Sequence, residues 1–195
     1  MYINFIKPLL DFIISLCALP FLGIIYVFVA IAIKLEDGGP VFYMANRIGK
    51  NGKMFKMFKF RSMKVNAPTM YSADGSSYSS PDDPRVTKVG RFIRATSLDE
   101  TSQFLNILKG DMAFVGPRGR GSDSVGTFED DELDLLNVKP GITGYCQAYF
   151  RNSASPREKR LKDAWYANHV SFILDVKIIL KTIVTVLKRE NIYTD

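Results

Sequence analysis

Between Phe12 and Ile33 the chain runs for 22 residues without a charged side chain. A helix of that length reaches about 33 Å, enough to cross a bilayer core of about 30 Å. Fourteen of the 22 are Leu, Ile, Val or Phe, each favouring insertion by about 0.3 to 0.6 kcal/mol. No A-x-A-like cleavage site follows, and the run closes on Lys34-Leu35-Glu36-Asp37. It reads as a retained anchor, residues 1–36, rather than a signal peptide. Pro20 sits mid-run, lacks an N–H and removes the bond to the Leu16 carbonyl. That allows either a kinked spanning helix or a re-entrant helix–break–helix that returns to the side it left. The positive-inside rule puts the basic segment after Lys34 (Arg47, Lys50, Lys53, Lys56, Lys59, Arg61, Lys64) in the cytoplasm. Lys7, on the other flank, prefers the same side, and physics alone leaves the two topologies even.

The 195 residues make one domain by length, with room for a core in residues 37–195. A net charge of +6 asks for an anionic partner: phosphate, nucleic acid or an anionic membrane face. Cys17 and Cys146 stand far apart, so neither a disulfide framework nor zinc spacing is visible, which fits a reducing compartment. His169 is the only histidine, which argues against histidine-rich metal sites and a serine triad.

After Asp37-Gly38-Gly39-Pro40, the spans Val41 to Ile48 and Met54 to Met63 predict strands around Gly49-Lys50-Asn51-Gly52, where Asn-Gly signals a hairpin turn. Residues 66–84, rich in Ser, Asp, Pro and Gly, predict a long loop that serves as a lid or is disordered. Arg85, Lys88, Arg91 and Arg94 recur every third residue, so a helical turn would aim much of that charge at the segment beyond Thr96. Leu98, Phe104, Leu105 and Leu108 then predict a helix stopped by Gly110. Asp99 and Glu100 fall in its first turn, where unpaired N–H groups attract phosphate. Ser97-x-x-Glu100 also fits a capping box, in which Glu100 would only satisfy the Ser97 N–H.

Met112 to Val115 predicts a short strand. The loop Gly116-Pro117-Arg118-Gly119-Arg120-Gly121 offers a backbone nest and two forked donors for phosphate. The acidic run 129–134 predicts a solvated helix face. Turn-rich Lys139 to Gly144 leads to Gln147 and Arg151. From Val170 to about Arg189 an apolar helix carries Asp175, Lys177 and Lys181, each costing about 2.5 to 3.5 kcal/mol near the centre of a span. It therefore packs on the core or lies in the membrane interface, with Lys177, Lys181 and Lys188 as its polar stripe.

These motifs together resemble one family. Lys7-x-x-x-Asp11 precedes the apolar run, followed by Lys59-Phe60-Arg61-Ser62-Met63, Asp83-Pro84-Arg85-Val86-Thr87 and Ser97-Leu98-Asp99-Glu100. Leu108-Lys109-Gly110-Asp111-Met112, Val115-Gly116-Pro117-Arg118 and Val138-Lys139-Pro140-Gly141-Ile142-Thr143-Gly144 complete the order. The chain resembles the small monotopic phosphoglycosyl transferases, bacterial sugar transferases, nearly end to end. The resemblance implies an α+β fold with a re-entrant N-terminal membrane helix, a small β-hairpin or sheet and interfacial amphipathic helices. It implies transfer of a sugar phosphate from a nucleoside diphosphate sugar, a UDP-sugar in particular, to polyprenyl phosphate, starting glycoconjugate assembly. Asp99 would be the nucleophile of a covalent phosphosugar intermediate, with Glu100 and Asp99 holding Mg²⁺ and Lys59 assisting. Arg94, Arg118, Arg151 and Asp163 fall on the family's polar-site positions. Arg61, Gln147 and Arg120 complete the expected substrate-binding set.

Membrane lipid is a further partner, nucleic acid is not, and a homodimer is compatible. The location would be the cytoplasmic face of the bacterial inner membrane. Two departures stand out: Leu19-Pro20 where the family has Ser-Pro, and Arg118-Gly119-Arg120 where it continues Arg-Pro. The rivals from the residues alone are a membrane-tethered anion- or nucleic-acid-binding module and a lipid-diphosphate phosphohydrolase.

Overall fold

A computed structural model describes residues 1–70, 78, 80, 82–122, 126–150 and 153–187. Its longest element is helix α1, Lys7–Asp37, entered through a π-helical turn at Tyr2–Ile6. The helix passes Pro20 without leaving helical structure. It ends on Gly38 in the left-handed region, φ 69°, whose N–H bonds the Lys34 carbonyl, the close a helix makes where no side chain resists positive φ. Its inward positions are Lys7, Asp11 and Ser15 at one end and Val29 and Ile33 at the other. Between them apolar side chains such as Leu16, Phe21, Ile24 and Phe28 stay exposed, as a membrane-inserted element requires.

Both ends of α1 are fastened to the same body. Lys7 Nζ lies 2.6 Å from Asp175, the Tyr2 hydroxyl donates to the same carboxylate at 2.7 Å, and Asp11 accepts the Phe114 N–H. At the other end Asp37 takes the Arg61 guanidinium, which also donates to the Pro40 and Met63 carbonyls. Glu36 accepts the N–H groups of Lys88 and Val89, the first turn of helix α2, Lys88–Ala95.

The hairpin forms as the Asn-Gly signal predicts. Strands β1 (Phe42–Ile48) and β2 (Met54–Phe60) pair antiparallel around a tight turn, Lys50–Gly52, with Asn51 at φ 56° and Gly52 at φ 74°. After α2 come the one-turn helices α3 (Leu98–Thr101) and α4 (Phe104–Leu108), then strands β3 (Ala113–Val115) and β4 (Arg120–Gly121). Strand β4 joins the free edge of β1, while β3 pairs in parallel with β5, Gly141–Thr143. A 3-10 helix at Asp130–Asn137 precedes β5, and α5 (Tyr145–Tyr149), α6 (Pro156–Asn168) and α7 (Phe172–Leu187) close the chain. The fold is α+β. Its core joins Phe60 and Ile93 to Val29 and Ile33 of α1, Met57 to Ile107 and Met112, and Val115 to Tyr166 and Ile178. Helix α7 buries Asp175, Ile178 and Thr185 and leaves Phe172, Ile173, Leu180 and Ile183 exposed.

Several local expectations are revised. The single helix expected after Ser97 breaks at Ser102-Gln103 into α3 and α4, so little macrodipole builds at Asp99. The acidic run is not wholly solvated. Glu132 is fully buried and takes Arg160 at 2.7 Å and Arg157 at 3.1 Å. The nest is absent too, because none of Gly116, Gly119 and Gly121 adopts positive φ. Gly116 serves close packing instead: a Cβ there would strike the Lys139 carbonyl, and one on Gly141 would strike the Gly116 nitrogen. Of the long loop, residues 71–77, 79 and 81 lie outside the described residues, as do Arg151, Lys188 and Arg189.

Candidate active site

Strand β2 and the short helix α3 make the centre. Alternation along β2 turns Phe60 into the core and leaves Lys59 on the other face, toward α3. Lys59 Nζ lies 3.2 Å from Asp99 Oδ2 and 3.3 Å from Glu100 Oε1. Arg118, at the end of the β3 loop, brings a guanidinium nitrogen to 3.8 Å from the same Glu100 oxygen. Four of the residues singled out in the sequence thus converge, two cationic and two anionic.

The capping box does not form. Ser97 sits in the left-handed region, φ 56°, and its side chain caps nothing; Glu100 turns toward Lys59 and Arg118. A non-glycine residue at such a φ stores about 1–3 kcal/mol, here two residues before Asp99. Asp99 itself is only 7% exposed, more enclosed than a site at an open helix start would leave it. The Lys59 side chain, a flexible four-carbon stem, lies against it.

A second polar group hangs on the first. Asp163 of α6 is buried and accepts the Arg118 backbone N–H at 3.3 Å and the Arg120 guanidinium at 3.4 Å. Burial pushes its carboxyl up to about 6, against the pull of Arg120 and Arg118. Burial also pushes the neighbouring Cys146 thiol up, to about 11, so Cys146 is a poor nucleophile. Two polar atoms in this quarter, Arg120 Nε and Gln147 Oε1, are buried without a partner.

The other cations are placed elsewhere. Arg94 donates to the Ser62 hydroxyl at 2.8 Å, just past the end of β2. Arg85 is bound to Asp83 at 2.6 Å and to the Pro68 and Tyr78 carbonyls, so the basic series does not aim as one row at the acidic pair. Arg61, expected at substrate, is a structural clamp on Asp37. Arg151 lies outside the described residues.

Sequence reasoning missed two supports. Asn106, fully buried on α4, grips β2 on either side of Met57, accepting the Phe58 N–H and donating to the Lys56 carbonyl, each at 2.8 Å. A polar residue amid the apolar series Phe104, Leu105, Leu108 was the available signal. Tyr26 of α1 donates to the Thr101 carbonyl of α3 at 2.5 Å.

Among the described residues no cluster of three or more His, Cys, Asp or Glu could cage a metal. Asp99 Oδ2 and Glu100 Oε1 do face a common cation, the Lys59 ammonium, at 3.2 and 3.3 Å. Mg²⁺ is ordinarily held by one or two carboxylates completed by phosphate oxygens and water.

The profile of the Bacterial sugar transferase family matches residues 2–189. The chain is 40% identical over 189 residues to the galactosyl transferase CpsE of Streptococcus agalactiae, covering 93% of this chain and 42% of that protein. It is 40% identical over 169 residues to the undecaprenyl-phosphate galactose phosphotransferase of Salmonella typhimurium, covering 81% and 36%. It is 38% identical over 187 residues to the sugar transferase EpsL of Bacillus subtilis, covering 96% and 90%. It thus spans less than half of the first two relatives and nearly all of the third. The converging acidic pair, its lysine and the match along almost the whole sequence agree: the chain belongs to the bacterial sugar transferase family.

Proposed function

We propose that this chain is a phosphoglycosyl transferase that moves a sugar 1-phosphate from a UDP-sugar to polyprenyl phosphate, opening glycoconjugate assembly. One observation carries the reading: Asp99 and Glu100 converge on Lys59 beside Arg118. In the first step an Asp99 oxygen attacks the phosphorus that carries the sugar. The bond to the bridging oxygen breaks, nucleoside monophosphate leaves, and an aspartyl-phosphosugar remains. In the second a polyprenyl phosphate oxygen attacks that phosphorus, the bond to Asp99 breaks, and the carboxylate is restored.

The incoming diphosphate draws the Lys59 ammonium off Asp99 and uncovers the nucleophile, while Arg118 meets the charge spreading over the transferring phosphoryl group. Mg²⁺ held by Glu100 and Asp99 with phosphate oxygens would supply further neutralisation of that charge. In this reading Arg120 and Gln147 also serve the donor, while Arg94 stays with the Ser62 hydroxyl past the end of β2. The acceptor class follows the Salmonella relative, whose name specifies undecaprenyl phosphate.

The membrane helix is re-entrant in this reading, with the body on the cytoplasmic face of the inner membrane. The support is that Lys7 and Asp37, 30 residues apart on α1, are both fastened to one folded body, which cannot sit on two sides of a bilayer.

The test is the Asp99→Asn variant. Without acceptor, the wild type should release one equivalent of nucleoside monophosphate and gain the mass of a phosphosugar, and the variant should do neither. Near-wild-type turnover by the variant removes the proposed nucleophile. Continued turnover of the wild type without polyprenyl phosphate would identify a hydrolase.

A further inference from the structure

The catalytic turn is poorly held by itself. Helix α3 has four residues, too few for its own hydrogen bonds to fix it. Ser97 enters it at positive φ and Ser102-Gln103 breaks it from α4. What fixes the positions of Asp99 and Glu100 must come from outside the turn.

Tyr26 of the membrane helix supplies such a hold. Its hydroxyl donates to the Thr101 carbonyl at 2.5 Å, among the last carbonyls of α3, which a short helix leaves in need of donors. Its ring packs edge-on against Phe60, centroids 5.1 Å apart at 74°, and Phe60 is stacked on Phe42 across the hairpin. Phe60 adjoins Lys59 on β2. One side chain of the anchor therefore touches both halves of the site: the strand carrying Lys59 and the turn carrying Asp99 and Glu100. One and two turns further, Val29 and Ile33 join the cluster of Phe60 and Ile93, so the contact belongs to a packed seat. Packing alone would be served by phenylalanine; the hydroxyl adds a direction.

We infer that Tyr26 is a positioning residue, through which the membrane helix holds the acidic pair in register with Lys59. The inference rests on the transferase reading for its kinetic consequence but not for its structural one. A register error between nucleophile and cation lowers the chemical step and leaves donor binding, which does not need the attacking geometry, largely intact.

The experiment compares the full chain, reconstituted in phospholipid vesicles, with Tyr26→Phe, Tyr26→Leu and the control Tyr43→Phe, which removes an exposed hydroxyl from β1. Active sites are counted by the burst of nucleoside monophosphate released without acceptor, so turnover is read per folded site. Tyr26→Phe should lower kcat per site by about tenfold, the scale of one well-placed hydrogen bond, and leave the donor KM within about twofold. Tyr43→Phe should match the wild type. Equal turnover per site in Tyr26→Phe and wild type overturns the inference, as does a loss confined to Tyr26→Leu, which would make the ring a packing element only.

Hydrogen exchange gives a readout independent of activity. Tyr26→Phe should speed exchange of the amides at 98–103 by about tenfold while the hairpin stays protected. Unchanged exchange there overturns the inference even if no donor is ever turned over. A wild type that releases no nucleotide from any donor, with exchange accelerated in the variant, would instead sink the transferase reading and leave the positioning role standing.

Discussion

Lys59 divides its single charge between two carboxylates, Asp99 and Glu100. Replacing it with Met would leave two adjacent anions to meet an anionic donor, and turnover should fall by about a hundredfold in a steady-state assay with donor saturating. Asp163 gives a pH signature. Its folded value, about 6, lies above the ordinary carboxylate value, so the folded state binds the proton more tightly than the unfolded chain. Its contribution to stability is thus fullest below the ordinary value, about 3.9, and is lost as pH rises through about 6. Melting temperatures of the wild type and Asp163→Asn, compared from about pH 4 to 7, should show the wild type losing ground to the variant across that window. Activity should move the other way: protonation below about 6 releases the Arg120 guanidinium and Arg118 N–H, so the wild type should lose turnover on the acid side and the variant should lack that limb. Ser97 offers a third check. Glycine suits a φ of 56°, so Ser97→Gly should stabilise the fold by about 1 kcal/mol in urea unfolding.

At the scale of elements, the sequence was most readable where one local rule decides the outcome. Asn51-Gly52 predicted the hairpin because only a few residues adopt its turn, and the apolar spacing after Ser97 placed Asp99 and Glu100 in a first helical turn, as they are. It was least readable where partners come from far along the chain. Arg61 looks like one more cation on a basic strand, and only the fold brings Asp37 against it, 24 residues away. Glu132 cannot be told from Asp131 by composition, yet one is sealed beneath α6 and the other exposed. Removing its charge leaves the half-buried Arg157 and Arg160 without the buried carboxylate that holds them. Glu132→Gln should therefore cost about 3 kcal/mol, read as a lower urea midpoint with an unchanged slope. The break between α3 and α4 had no visible signal, since Ser102 and Gln103 are ordinary helix residues; tertiary contacts override propensity there.

For the whole molecule, the anchor and the body are one mechanical unit. A cysteine at position 4 in place of Asn4 should react with an impermeant thiol reagent from the cytoplasmic side only, after Cys17 is replaced by Ser; labelling from outside would make α1 a spanning helix. Between the Asp37 clamp and β1 stand only Gly38, Gly39, Pro40 and Val41, and Gly39 is wedged so tightly on Arg61 that a methyl group would meet its guanidinium at 2.8 Å. Inserting Gly-Ser between Gly38 and Gly39 should leave the single-turnover release of nucleotide standing and slow transfer to the lipid acceptor, measured as appearance of the lipid-linked product. A bracket this stiff would work as a ruler: with α1 re-entrant, as proposed, the site would ride at one fixed altitude above the lipid phosphates. Under the proposed transferase activity it would accept any soluble donor that diffuses down to it, but only those acceptors whose own phosphate floats at that height.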